Sequence, residues 1–338
     1  MCIRDRNEIN NIIDNKINGL SWSGSLKMVI ANAQGVNLDT KIEIFPTSDE
    51  WGNGTGEFGD SPAVENGVSW KYISYSGSSI WKTGGYSAYV TGSYSGSIPQ
   101  GLANGTGGTW YTGSSYINYP VSSSQTFGVR TEKDLNANVT NTLKAWYTAS
   151  KYSVINPINN NGFLLKLTGS AEFNTSRHIQ PIFRYYSVDT NTIYPPTLEL
   201  KWDDSSYSTT LSEITTTDVF IGLDSNPGIF YSESVNRFRL NVRPELPTRT
   251  FQTSSLYTDN FALPEESYYA IKDLDTNEYV INFDNNFTKI SCDNTSNYFD
   301  VYMNGLQPER KYKILIKTNI NNSTIVKDQM YNFKVRKG

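Results

Sequence analysis

Cysteine and histidine are nearly missing from this chain of 338 residues: Cys2 and Cys292 stand near opposite ends, and His178 is the single histidine. Two cysteines so placed exclude a disulfide framework, and they leave too few thiolates for a structural zinc site. Charged residues are also sparse at 18%, below the ~25% of ordinary globular chains. The net charge of −4 comes without blocks of Lys or Arg. No electrostatic footprint for a phosphate backbone is therefore present, and nucleic acid is not an expected partner. The mean hydropathy is −0.48, and no apolar run approaches the ~18 residues of a membrane span. The N-terminus also lacks the apolar centre of a secretory signal.

What is abundant points one way. Aromatics reach 13%, with 23 tyrosines, alongside many Gly, Ser, Thr and Asn residues. β-branched and aromatic side chains fit a pleated surface, and Gly and Asn fit its corners. The length suggests about two domains. Together these indicate an all-β protein of two β-sandwich domains in series.

Residues 1–6, Met-Cys-Ile-Arg-Asp-Arg, look like the translation of a sequencing-library transposon end. They are treated as a scar outside the fold, with residues 7–19 as a frayed remnant of an upstream element. Residues 1–24 are thus expected to lie outside the first domain. From Leu26 the pattern is that of strands: 26–31, 41–45, 68–75, 162–167, 182–186 and 197–202 are short apolar or alternating runs bounded by turn residues. One helix is predicted between them. Val139, Leu143, Trp146 and Tyr147 share a helical face, with Asn138 or Thr140 as its cap. The break at Asp203-Asp204-Ser205-Ser206 ends the first domain at about residue 205. Beyond it, runs at 219–222, 237–242, 268–272, 278–283, 298–302, 312–317 and 332–335 have the spacing of a second sandwich over 206–338.

The stretch 76–120 differs from both. Gly, Ser, Thr and Tyr dominate it, and it reads as a long loop or set of short hairpins over the first sandwich. Its aromatics, Trp81, Tyr86, Tyr89, Tyr94, Trp110, Tyr111 and Tyr116, are candidate contacts for sugar rings or a protein partner. The competing reading is that they pack the loop onto the sandwich, because large aromatics usually bury.

Other motifs weigh less. Gly54-Thr55-Gly56-Glu57-Phe58-Gly59 satisfies the dinucleotide pattern, but Asp60-Ser61-Pro62 follows instead of a helix, so a Gly-rich turn is the better reading. Asp273-Leu274-Asp275-Thr276-Asn277 imitates the start of a calcium loop. Glu278 stands where that loop needs Gly and Asp284 where it needs Glu, so a solvated hairpin turn is expected. Sequons such as Asn53-Gly54-Thr55 arise by chance in an Asn- and Thr-rich chain. No Gly-x-Ser-x-Gly elbow accompanies His178, whose expected role is structural, as is that of a buried Cys292. The carboxylates carry no catalytic signature. No enzyme activity, cofactor or metal is expected.

Two resemblances add to this. Phe183-Arg184-Tyr185-Tyr186-Ser187-Val188-Asp189, followed by Pro195-Pro196-Thr197-Leu198-Glu199-Leu200-Lys201-Trp202, is similar to the closing strands of the DNRLRE family. Asp134, Val139-Thr140, Trp146 and Asn161-Gly162-Phe163 match that family's central segment in order and spacing. The resemblance covers about residues 25–205 and implies a jelly-roll sandwich related to carbohydrate-binding modules, found in cell-surface and tailed-phage virion proteins. Further on, Leu306-Gln307-Pro308-Glu309-Arg310-Lys311-Tyr312 resembles the Leu-x-Pro-x-x-x-Tyr corner of fibronectin type III domains. In such a corner the Tyr hydroxyl bonds back to backbone a few residues upstream. The tail through Tyr331-Asn332-Phe333-Lys334-Val335 looks like the C-terminal Ig-like domains of marine-phage structural proteins. Leu306, Pro308 and Tyr312 are thus structural corner residues. The function these resemblances imply is a non-enzymatic virion protein of a tailed phage. Its expected partners are other virion proteins or host surface polysaccharide, and a homo-oligomeric state is expected. A surface adhesin or carbohydrate-binding module is the alternative, and a glycan hydrolase the third.

Overall fold

A computed structural model describes residues 6–36, 39–55, 66–69, 72–74, 79–81, 90–92, 108–168, 181–188, 192–224, 226–246, 259–328 and 331–338. The chain is mostly β and divides into two compact units, 1–201 and 202–338.

The first unit opens with a helix, α1 (Arg6–Ile12), that continues as a π-helical turn, Ile13–Ile17. The segment expected to be frayed is packed: Ile9, Ile13 and Ile17 are all buried. Their spacing of four puts them on one helical face, and Asn18 closes the wide last turn in the left-handed region with its N–H on the Ile13 carbonyl. The strands that follow are β1 (Trp22–Met28), β2 (Ile30–Gln34), β3 (Thr40–Pro46), β4 (Tyr72–Ser74), β5 (Ser79–Ile80), β6 (Val90–Gly92), β7 (Thr109–Tyr111), β8 (Ser123–Phe127) and β9 (Leu135–Asn138). Helix α2 (Thr140–Lys151) leads to β10 (Phe163–Leu167), β11 (Ile182–Tyr185) and β12 (Thr197–Trp202).

Two three-stranded sheets, β12-β1-β9 and β10-β3-β8, and the pair β11-β2 form the body of this unit. β3 shows why: Thr40, Ile42, Ile44 and Pro46 are buried while the residues between them are not, an alternation that makes one face of a sheet. Helix α2 packs on β1, with Leu143 over Gly24 and the Trp146 ring 4.8 Å from that of Phe163, and Val139, Leu143 and Trp146 are buried as the sequence predicts. Asn138 Oδ1 accepts the first helical N–H, from Thr140, at 3.0 Å. One expectation is corrected: the run 26–31 is two strands broken at Val29. The residues before α2, where no element was predicted, form a strand, since Leu135 and Ala137 bury while Asn136 and Asn138 do not, and they pair with Ser25–Met28.

The second unit contains β13 (Val219–Asp224), β14 (Ile229–Tyr231), β15 (Val235–Pro244), β16 (Tyr268–Asp273), β17 (Tyr279–Ile281), β18 (Ser291–Cys292), β19 (Asn297–Tyr302), β20 (Lys311–Ile320), β21 (Ser323–Lys327) and β22 (Asn332–Arg336). Two sheets, β13-β15-β19-β18 and β14-β22-β20-β16-β17 with β21 on β20, face each other across one core. With the short β14 and β17 left out of the count, this order is that of an immunoglobulin sandwich, in which the first, second, fifth and fourth strands make one sheet. Phe238, Leu240 and Val242 of β15 interleave with Phe299 and Val301 of β19, Ile314 and Ile316 of β20, and Phe333 and Val335 of β22. All seven runs predicted here contain strands; the short β14 and β18 and the hairpin strand β21 are additional.

Candidate binding surface

The aromatics expected to meet a ligand divide sharply. Trp81 is 4% exposed and its indole N–H donates to the Ser69 carbonyl at 2.9 Å. Trp110 is 6% exposed and sits on β7 over the outward side of β3 and β10, 5.3 Å from the Phe45 ring and 5.2 Å below the Lys166 ammonium. Neither ring presents a face to a sugar. Trp110 packs on the sheet of β3 and β10, and Trp81 is tied to Ser69, as the packing reading expects of these two rings.

Tyr116 is also structural. Its hydroxyl donates to the Ala145 carbonyl at 3.2 Å and accepts from the Ile158 N–H at 3.1 Å, and burial pushes its pKa up. Tyr111 is half-exposed and ends β7. Tyr86, Tyr89 and Tyr94 lie outside the described residues, as do His178 and Cys2.

Around Trp110 the chain spends its polar groups inward. Asp49, 9% exposed, accepts from the Thr109 hydroxyl, which also bonds Ser48 Oγ at 2.8 Å. The Ser48 N–H donates to the Thr109 carbonyl at 3.1 Å, and the Trp51 indole to the Asn161 carbonyl at 2.7 Å. A Ser, a Thr and an Asp so linked fasten the segment after β3 to β7. The Gly-rich 54–59 string begins likewise as a turn. Gly54 has a φ of +78° and lies so close to Gly67 that a Cβ would sit 2.6 Å from its Cα, while Asn66 clamps Thr55 at 2.8 Å.

In the second unit the corner forms as expected. Tyr312 is 1% exposed and its hydroxyl donates to the Gln307 carbonyl at 2.9 Å, five residues back. Burial pushes its pKa up to about 12. Leu306 is buried beneath the turn, Pro308 lies exposed at its tip, and Glu309 takes a positive φ of 65°. The neighbouring turn departs from expectation. Asp273 is not solvated but 3% exposed; its carboxylate takes the N–H groups of Asp275 and Thr276 at 2.8 and 3.2 Å and the Arg310 guanidinium. Burial alone raises this carboxyl, but Arg310 and the two N–H donors outweigh it and hold the pKa low. Those bonds occupy the lone pairs that calcium would use. Asp293 repeats the pattern with Thr295, Ser296 and Arg239. Cys292 is buried, as expected. Among the described residues, no group of three or more His, Cys, Asp and Glu side chains could hold a metal ion.

Two open pockets belong to the first unit. One, of about 360 Å³, is lined by Trp22, Ser122, Asn138 and Asn141 at the start of α2; the other, of about 220 Å³, lies between α1 and α2 at Asn10, Tyr147 and Ser150. Of the aromatics singled out in the sequence, the described ones, Trp81, Trp110, Tyr111 and Tyr116, line neither. No family model, curated protein or solved structure matches this chain.

Proposed function

We propose that this chain is a non-enzymatic structural protein of a tailed-phage virion, a tail- or capsid-associated module. The observation that carries the reading is the C-terminal unit: an immunoglobulin strand order closed by the Leu306–Tyr312 corner, in the segment that resembles marine-phage Ig-like domains. The disposition of its polar groups agrees. The Asp49, Asp273 and Asp293 carboxylates are consumed in pinning loops to sheets, which is the use a load-carrying scaffold makes of them. Loops fixed this way suit a part that must hold its shape in an assembly. Partners are then other virion proteins or host surface polysaccharide, and the chain works as a homo-oligomer in the particle. The test is labelling of negatively stained particles from the source sample with an antibody raised against the chain. Gold on tailed particles at one repeated position is expected; gold confined to cell envelopes overturns the reading in favour of a surface adhesin.

A further inference from the structure

Lysines gather on one sheet face of the second unit. On the sheet β14-β22-β20-β16-β17, the residues that point away from the core fall into rows across the strands. Lys317 of β20 lies opposite Tyr268 of β16, which bridges on its other side to Lys289. Four residues along, Lys272 lies between Tyr279 of β17 and Lys313 of β20. Ala270 and Leu315, both buried, form the row between. The lysine rows are about 13 Å apart at the rise of a strand.

The rings hold the charges. The Lys272 ammonium stands 4.3 Å from the Tyr279 centroid, and that of Lys317 stands 4.8 Å from Tyr268 and 5.1 Å from Phe283. Such stacking fixes a flexible side chain without neutralising it. Lys313 pairs with Asp328 at 2.7 Å, whereas Lys272, Lys289 and Lys317 make no ion pair among the described residues. Four lysines stand here against the carboxylate of Asp328, which acts on both Lys313 and Lys272, and that of Glu266 beside Tyr268, so positive charge stays in excess on one sheet of a chain whose net charge is −4.

We infer that this face binds an acidic polysaccharide, through its carboxylate or sulfate groups. Charge complementarity selects a polyanion. Single-stranded nucleic acid would need bare ring faces for its bases, and here the ring faces are taken by ammonium groups. A duplex would need a longer basic stripe to match its charge density. The cations are lysines, point charges that suit isolated acidic groups rather than the bidentate geometry of an arginine clamp. The inference does not rest on the virion reading: absence from particles would leave it standing.

The test is binding of the full chain to heparin and to alginate, with neutral dextran as control, at low salt and again with salt added. Retention by the acidic chains, loss with salt, and no retention by dextran are expected. The double variant Lys272→Glu/Lys317→Glu should bind about tenfold more weakly or worse, with Lys272→Arg/Lys317→Arg retaining binding and a thermal melt verifying both folds. If the charge reversal unfolds the protein, Lys272→Gln/Lys317→Gln serves with the same expectation. No retention of the parent, equal retention of a folded variant, or tighter binding to a DNA duplex or to anionic phospholipid vesicles overturns the inference.

Discussion

Tyr312 shows what one side chain does in this fold. Its ring packs 5.6 Å from Phe333 while its hydroxyl reaches back to Gln307, so a single residue joins core and corner. Tyr312→Phe keeps the ring and abandons the carbonyl. It should destabilise the second unit by about 1–2 kcal/mol, seen as a lower denaturant midpoint for that unit's transition. Asp273, beside it, gives a pH dependence. Its folded pKa lies below the ordinary value, so its stabilisation is complete above the unfolded pKa of about 3.9 and fades as acid passes through the lower folded one. The second unit of the parent should therefore weaken below about pH 4, and Asp273→Asn should flatten part of that slope while lowering neutral-pH stability by about 2–4 kcal/mol. Urea titrations across that range measure both. A slope unchanged in the variant would remove Asp273 from the account. The corner was legible in the sequence because its spacing is fixed by the hydrogen bond. The burial of Asp273 was not, since its partner Arg310 lies 37 positions away.

Elements were legible where period and register agree. β15 alternates cleanly and β20 does so except at Leu315, buried between Ile314 and Ile316; both run longer than the sequence suggests because their ends are carried by pairing with neighbours. β9 was hidden because Leu135 and Ala137 fit a helical lead-in as well as an alternating strand; the partner β1 decides. The packing of α1 was hidden too, because Ile9, Ile13 and Ile17 share a helical spacing but stand in a short run rich in Asn, Asp and Lys. The β20–β21 hairpin rests on Asn321 and Asn322, with φ of 50° and 62°. Both central residues of such a two-residue turn need positive φ. Asn322→Gly should be neutral or slightly stabilising, and Asn322→Ala should cost about 1 kcal/mol, measured as paired thermal melts. At β7, Trp110→Ala should destabilise the first unit by about 3–5 kcal/mol, the loss for a large buried aromatic. A melt unchanged in that variant would mean the ring is dispensable and free to meet a ligand.

At the scale of the whole molecule, composition alone announced the class. Few charges, many aromatics and scattered Gly and Asn specify sheets and corners, and the chain is all-β. The surface was harder to read. Lys272, Lys289, Lys313 and Lys317 are spread over 46 positions by number, and only strand pairing puts them on one face, so a basic patch hides inside an acidic total. The loop aromatics left two readings open, because residue type alone does not say whether a Trp faces solvent or sheet; Trp81 and Trp110 are buried. What joins these features is a scaffold whose carboxylates and large rings are committed to rigidity, and the central claim is that the scaffold serves a virion. Mass spectrometry of particles banded on a density gradient from the source sample tests it most directly. The account predicts peptides from both units co-sedimenting with the major capsid protein at a constant ratio across the band. Peptides confined to the cell-envelope or soluble fractions would contradict it.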